Sequence, residues 1–330
     1  MPVFAGKAAG LSRLFDDEVR KEGVELRTVI LRRLGQSVVV LFLVSIIVFL
    51  TIRLIPGDPA ANLAGPDATP ELIAQIRASL GLDRPIYVQY LTWLKGLGTG
   101  DFGTSLITKL PVTEEILPRA AATATLALTG MAIALILGIV LGIVAAYYRG
   151  RWADSLVTAL STLGVSLPSY WVGLILVLIF AVSFGWLPSG GNAGPESIIL
   201  PAVTLALPQI GMLARLTRGA FIEILGQDYI VTARQKGVTE ARLLYRHALP
   251  NGAVTILTFA GIQLGHLLAG AVVVEVVFAW PGLGRLAVDS LQTRDLPVVQ
   301  GVLLVFALAI LFVNLAMDLL YAVADPRIRR

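Results

Sequence analysis

Few side chains in this sequence could do chemistry, and their spacing argues against catalysis. The two histidines, His247 and His266, are far apart and neither sits in H-E-x-x-H spacing. Cysteine is absent, which excludes a disulfide scaffold and a thiolate metal site. There is no G-x-x-x-x-G-K-[ST] phosphate loop and no G-x-S-x-G elbow, so neither ATP hydrolysis nor serine nucleophilic chemistry is expected of this chain. No catalytic set, metal site or bound cofactor emerges. What remains is a group of polar residues inside apolar sequence: Gln209, Gln263, His266, Asn314 and Asp318, with Glu275 near the end of a run. Such groups are costly in hydrocarbon and default to functional candidates. Gln263 and His266, three apart on one helix, would share a face. They either line a translocation path or link helices by hydrogen bonds. Asp318 fits a structural pair with an arginine.

The other chemistry on offer is recognition. Residues 228–250 form a charged island between apolar segments. The pattern predicts two short helices joined at a glycine: Asp228 caps the first, and Gly237 ends it in the left-handed conformation. Thr239 caps the second, with Glu240 in its first turn. Ala241, Leu244, Tyr245 and Ala248 fall at i, i+3, i+4 and i+7, giving that helix one apolar face opposite a basic one. Such a hairpin suits docking into a groove on another protein. His247 within it fits a local hydrogen bond better than catalysis.

The elements holding these groups are membrane helices. Of 330 residues, 56% are hydrophobic and 15% charged, against roughly a quarter charged in soluble proteins, and the mean hydropathy is +0.80. Six apolar runs, each able to supply the ~20 residues of a span, lie within 34–55, 119–149, 154–196, 197–214, 248–274 and 296–317. The third is kinked near Pro168 and leaves through Leu187-Pro188-Ser189-Gly190-Gly191. Arg32, Arg33, Arg149, Arg151, Arg215, Arg218, the island's basic residues and Arg327, Arg329 and Arg330 all fall on one side. The positive-inside rule therefore makes both termini and the island cytoplasmic, with Trp186 and Trp280 at the outer interface. The net charge of +4 is explained by this placement and is no nucleic-acid signal. The first span is not read as a cleavable signal, because its charged tail is too long. Residues 1–33 are read as a cytoplasmic tail, either a solvated extension or a partner-binding helix. Gly138/Gly142 and Gly261/Gly265 are small-xxx-small pairs that allow close helix approach.

Residues 56–118 are too long for a simple connection. Pro70 and Glu71 open a helix that Gly81 ends. In Glu275-Val-Val-Phe-Ala-Trp-Pro-Gly-Leu-Gly284, Pro281 stops a helix while Gly282 and Gly284 make a turn.

Four of these segments, in order, resemble the permease subunits of ATP-binding-cassette importers, in their dipeptide, oligopeptide and nickel branch. They are Leu82-Asp83-Arg84-Pro85 with Gln89-Tyr90 and Gly100-Asp101-Phe102-Gly103; Leu187-Pro188 with Gly190; Thr232-Ala233, Gly237, His247 and Pro250; and Glu275…Phe278…Pro281-Gly-Leu-Gly284. Thr232 stands where the family motif has glutamate, and Arg234 replaces its second alanine. The resemblance covers about Arg32 to the carboxyl terminus. It implies an all-α type I importer permease with six spans, an extracytoplasmic insertion over 56–118, and a permease core over 119–330 in a bacterial inner membrane. It further implies a second permease subunit, two ATP-binding subunits that hold ATP and Mg, and an extracytoplasmic substrate-binding protein. Thr232, Ala233, Gly237, Leu244, Tyr245, His247 and Pro250 would couple to the ATPase. Asp101, Phe102, Trp280 and Pro281 would meet the receptor. The cargo would be di- or oligopeptides, with glutathione or nickel as alternatives, moved by alternating access. An ion-coupled secondary transporter is the competing class, but paired carboxylates at the midplane and an inverted repeat are not seen.

Overall fold

A computed structural model describes residues 32–324, except 52, 54–57 and 66. The tail expected over 1–33 lies almost wholly outside them. Helix α1 (Arg32–Thr51) leads to three short helices, α2 (Pro59–Ala64), α3 (Pro70–Ser79) and α4 (Ile86–Gly98). Then come α5 (Val112–Tyr147), α6 (Trp152–Ser166) and α7 (Ser169–Leu176), the last continued by a π-helical stretch, Val177–Ser183. A 3-10 turn, Pro195–Ile198, opens α8 (Ile199–Leu225). After α9 (Asp228–Gln235), α10 (Glu240–Arg242) winds through a π-helical turn, Leu243–Ala248, into α11 (Leu249–Val277). The chain closes with α12 (Leu283–Gln292) and α13 (Leu296–Ala324). Among the described residues there is no strand beyond an isolated bridge, Thr104–Pro111.

Among the described residues, five helices are long and apolar enough to cross a membrane, and a bent pair, taken as one span, makes a sixth. That pair, α6 with α7 and its π-helical extension, turns by 105°. The cause is Pro168: Leu167 before it is driven to φ −82°, ψ 135°, the extended region a residue before proline prefers. The expected kink is thus a sharp corner. Helix α5 has 36 residues, about 54 Å at 1.5 Å per residue, so it projects well beyond a ~30 Å hydrocarbon layer.

Close approach of backbones builds the bundle around α8. A Cβ on Gly138 would meet Leu213 Cβ at 2.6 Å, and one on Gly142 would meet Thr217 Cβ at 2.5 Å. Gly211 admits Ser161 of α6 in the same way. Lipid tails give no hydrophobic drive between helices, so small residues that maximise contact hold them together. The second glycine pair divides: Gly261 receives Met317 of α13, whereas nothing lies within 4 Å of Gly265.

Helix α4 packs on α1 through Phe49, Tyr90 and Trp93, with Phe49 and Tyr90 ring centroids 5.2 Å apart. Arg53 lies over the Phe49 ring and donates to Gln89 Oε1 at 2.6 Å. The loop before α5 is stapled to α13: Ser105 donates to Asp295, and Leu106 N donates to Asp295 Oδ1 at 3.0 Å.

Candidate functional site

The hairpin over 228–250 has the expected bend and a different second arm. Gly237 has φ +80°. Its N–H donates to Arg234 O at 3.0 Å, and Val238 N donates to Ala233 O at 3.2 Å, the paired bonds of a glycine-ended helix. Asp228 is not the cap. Gln227 occupies that position and Asp228 lies in the first turn, where its charge still favours the helix N-terminus. Thr239 does hold the N-cap position of α10, but its hydroxyl makes no capping bond. Across the bend, Arg234 Nε and Nη2 donate to the two oxygens of Glu240 at 2.6 and 3.2 Å. Arg234, which departs from the family motif, therefore ties the two arms together.

The second arm does not show the face expected of it. The π-helical turn shifts the register, so Leu243 and Ala248 are buried while Ala241 and Tyr245 are exposed. Leu244 and His247 are half-buried. Ile230 and Leu243 join Phe221 and Ile224 in the main core, which seats the hairpin on the end of α8. Thr232 is exposed and donates to Asp228 O at 2.8 Å. His247 contributes its carbonyl, which accepts from Asn251 Nδ2 at 2.7 Å. Ala233 is half-buried and Pro250 exposed. Tyr229, Val231 and Tyr245 are exposed side chains on the two arms. Because α10 runs on into α11, the second arm is the beginning of a membrane helix.

At the other end of α11, Glu275 is fully buried. It accepts from Thr123 Oγ1 at 2.6 Å, from Gly284 N at 2.7 Å and from Arg285 N at 3.2 Å. Gly282 and Gly284 are not turn-makers as expected. Gly282 has φ −101° and leaves room for the Glu275 carboxylate, while Gly284 leaves room for Val272. The left-handed residue that ends α11 is Ala279, at φ 50°.

The residues expected to meet a receptor divide. Trp280 is 3% exposed, and its Nε1 donates to Ala122 O at 3.1 Å. It is neither an interfacial anchor nor a surface for docking, because its indole is buried in the main core and bonded to α5. Phe102 packs on the cluster of Val112, Ile116, Leu283 and Val298. Asp101 is exposed, with Oδ1 accepting from Gly103 N at 2.8 Å, and Pro281 is half-buried. Trp186 is 69% exposed and stacks on Phe184.

Gln263 and His266 do not share surroundings. Gln263 is buried and donates from Nε2 to Gln209 Oε1 at 2.6 Å, with Met212 Sδ at 2.8 Å. It links α8 and α11. His266 is exposed on the surface of the protomer, as is Asn314 on α13. The side chain of Asp318, and with it the expected arginine pair, lies outside the described residues. Sequence reasoning missed Thr123 and Asp154 as partners. Their signal was weak, since one threonine among many and one acid at a helix start carry no distinctive spacing.

Residues 138–330 match the family described as the inner membrane component of binding-protein-dependent transport systems. Residues 26–127 match its amino-terminal component. The chain belongs to this family. It is 44% identical over 300 residues to the glutathione transport system permease protein GsiC of Salmonella typhimurium (strain LT2), covering 91% of this chain and 98% of the relative. It is 45% identical over 312 residues to a protein of Brucella abortus (strain 2308) described as a peptide transport system permease, covering 92% and 99%. An inward-facing structure of the MetNI methionine ABC transporter aligns with a TM-score of 0.48 and 22% identity, over 60% of this chain and 88% of that one. The protein is thus an all-α, multi-pass permease subunit of a peptide-type ATP-binding-cassette importer.

Proposed function

We propose that this permease passes di- or oligopeptides inward through the bacterial inner membrane, with its hairpin on the cytoplasmic side and both termini there. A second permease subunit would complete the path, and two ATP-binding subunits would supply ATP and Mg chemistry that this chain does not perform. An extracytoplasmic receptor would deliver cargo to the opposite end, with exposed Asp101 and half-buried Pro281 as the contact residues left after buried Trp280 and core-packed Phe102 are withdrawn. The observation that carries the reading is the hairpin. Its bend at Gly237 is fixed by paired hydrogen bonds, its two arms expose Tyr229, Val231 and Tyr245, and its second arm is continuous with α11. A push on such an element tilts a membrane helix directly.

Glutathione, itself a tripeptide, is the favoured second cargo, because the Salmonella relative is named for its transport. His266, exposed along an aliphatic face of α11 with Ile262, is the path residue we retain. A histidine facing lipid is costly, so that face belongs against the second permease or the path.

The test is reconstitution of the chain with its candidate ATPase and receptor partners, followed by uptake of labelled dipeptides competed by glutathione or nickel. ATP-dependent dipeptide uptake supports the proposal. Uptake that persists without any ATPase would overturn it in favour of an ion-coupled carrier. His266→Leu should lower uptake while leaving assembly intact, and unchanged uptake would remove it from the path.

A further inference from the structure

Asp154 is a buried acid that the coupling hairpin does not use. It stands in the first turn of α6, with its side chain 8% exposed. Arg218 of α8 grips it with a fork: Nε donates to Oδ1 at 2.5 Å and Nη2 to Oδ2 at 2.8 Å. Gly150 N, in the turn after α5, adds a third bond at 3.0 Å. Three segments therefore meet at one carboxylate. A two-bond guanidinium fork fixes direction as well as distance. Next to Arg218, Thr217 is the residue that Gly142 of α5 receives at closest approach. Arg218 is also about two turns before the end of α8 at Leu225, where the hairpin begins.

We propose that Arg218 and Asp154 are positioning residues, a strut that carries displacement of the hairpin from α8 into α6 and the end of α5. The proposal rests on the coupling reading above. A hairpin seated on α8 alone could move that helix past its neighbours. With the strut in place, the ends of α5, α6 and α8 move as one block, and the bent pair of α6 and α7 follows. Salt screens this pair weakly, because the carboxylate is shielded from solvent.

The experiment measures import and ATP hydrolysis together in proteoliposomes containing the assembled transporter. Asp154→Asn keeps the shape and removes the charge. It should lower peptide imported per ATP hydrolysed by at least about fivefold, the lower end of typical coupling, while the assembly still forms and hydrolyses ATP. Because the chain has no cysteine, an Asp154→Cys/Arg218→Cys chain with cysteine-free partners can then be bridged by a short bifunctional methanethiosulfonate. Bridging after assembly should restore import per ATP. Wild-type coupling in Asp154→Asn overturns the strut, as does a bridge that forms without restoring import. Loss of assembly in both variants assigns the pair to folding and also overturns it. Import by the wild-type chain without ATP hydrolysis would instead sink the importer reading itself, a separate result.

Discussion

Thr123 and Glu275, 152 residues apart, divide the start of α12 between them. The Thr123 hydroxyl accepts from Leu283 N at 2.8 Å and donates to Glu275, whose other oxygen takes Gly284 N and Arg285 N. A helix N-terminus presents unpaired N–H groups and partial positive charge, and here a carboxylate from the end of α11 satisfies both. Glu275→Ala should leave buried donors unmet and lower stability by about 3 kcal/mol, at ~1–3 kcal/mol for each group left unsatisfied. The thermal denaturation midpoint of the purified chain checks this. A midpoint equal to wild type would mean that α12 is held by packing alone.

Gly142 and Gly265, one from each glycine pair, predict opposite responses. Gly142→Ala puts a methyl 2.5 Å from Thr217 Cβ and 2.7 Å from Ala214 O, and backbone cannot swing away as a flexible side chain can. Overpacking of this kind costs roughly 1–3 kcal/mol. Gly265→Ala enters open space and should change the stability of the isolated chain little. Thermal denaturation of both variants in one detergent decides whether the α5–α8 contact is as tight as its geometry.

Much of this was legible in the sequence, because the signals were strong and local. Apolar runs gave the spans, the Pro70 to Gly81 punctuation gave α3, and Gly237 gave the bend. The errors have physical causes. Helix α11 ends at Val277 and α12 at Gln292, each followed two residues on by a left-handed residue, Ala279 at φ 50° and Arg294 at φ 57°. Those two residues take the left-handed conformation without being glycine, so no glycine marks the stops. The apolar face of the second arm was misjudged because a π-helical turn breaks the 3.6 period on which the reading relied. Trp280 looked interfacial because an indole suits both a headgroup layer and a gap between helices. Gln263 and His266 were paired by spacing, yet a neighbouring glutamine on α8 captured only one of them. The Glu275 and Asp154 contacts join residues far apart in the chain, and one sequence holds no record of such pairings.

Thr217 Oγ1 is the single sealed side-chain atom without a hydrogen bond among the described residues. Thr217→Val keeps the branched shape against Gly142 and removes the hydroxyl. Since a buried unpaired polar group costs about 1–3 kcal/mol, the variant should be more stable than wild type. A lowered denaturation midpoint would mean that the hydroxyl has a partner in the assembled protein or in water.

Asp58 gives the segment after α1 an acid-sensitive tie. The Arg77 side chain donates to its carboxylate and holds it below the usual aspartate range, helped by Ala60 N and opposed by partial burial. A depressed carboxyl contributes stability that is fully present above its unfolded pKa, near 3.9, and is lost as pH falls through the folded value. The effect is modest, since Arg77 is exposed and Asp58 only half-buried. Spin labels on α2 and α3 should report a distance distribution that broadens on acidification below about pH 4. Asp58→Asn should be broad at every pH. A wild-type distribution that stays narrow through this range would mean that the pair does not hold the two helices.

Gly237 offers the sharpest test of the hairpin, because strain and crowding can be separated there. Its φ of +80° is forbidding to side chains, yet nothing lies within 4 Å of the Cβ position. Any loss on substitution therefore comes from the backbone. Left-handed conformation costs ordinary residues roughly 1–2 kcal/mol, and asparagine visits it more readily. A β-branched residue resists it most. Import per ATP hydrolysed should thus fall in the order Gly, Asn, Ala, Val at position 237, with Gly237→Val the least coupled. Crowding against an ATP-binding subunit would give a different order, set by volume, with asparagine worse than alanine. Measuring all four in the same reconstituted assembly distinguishes a bend that must hold its angle from a surface that must stay small.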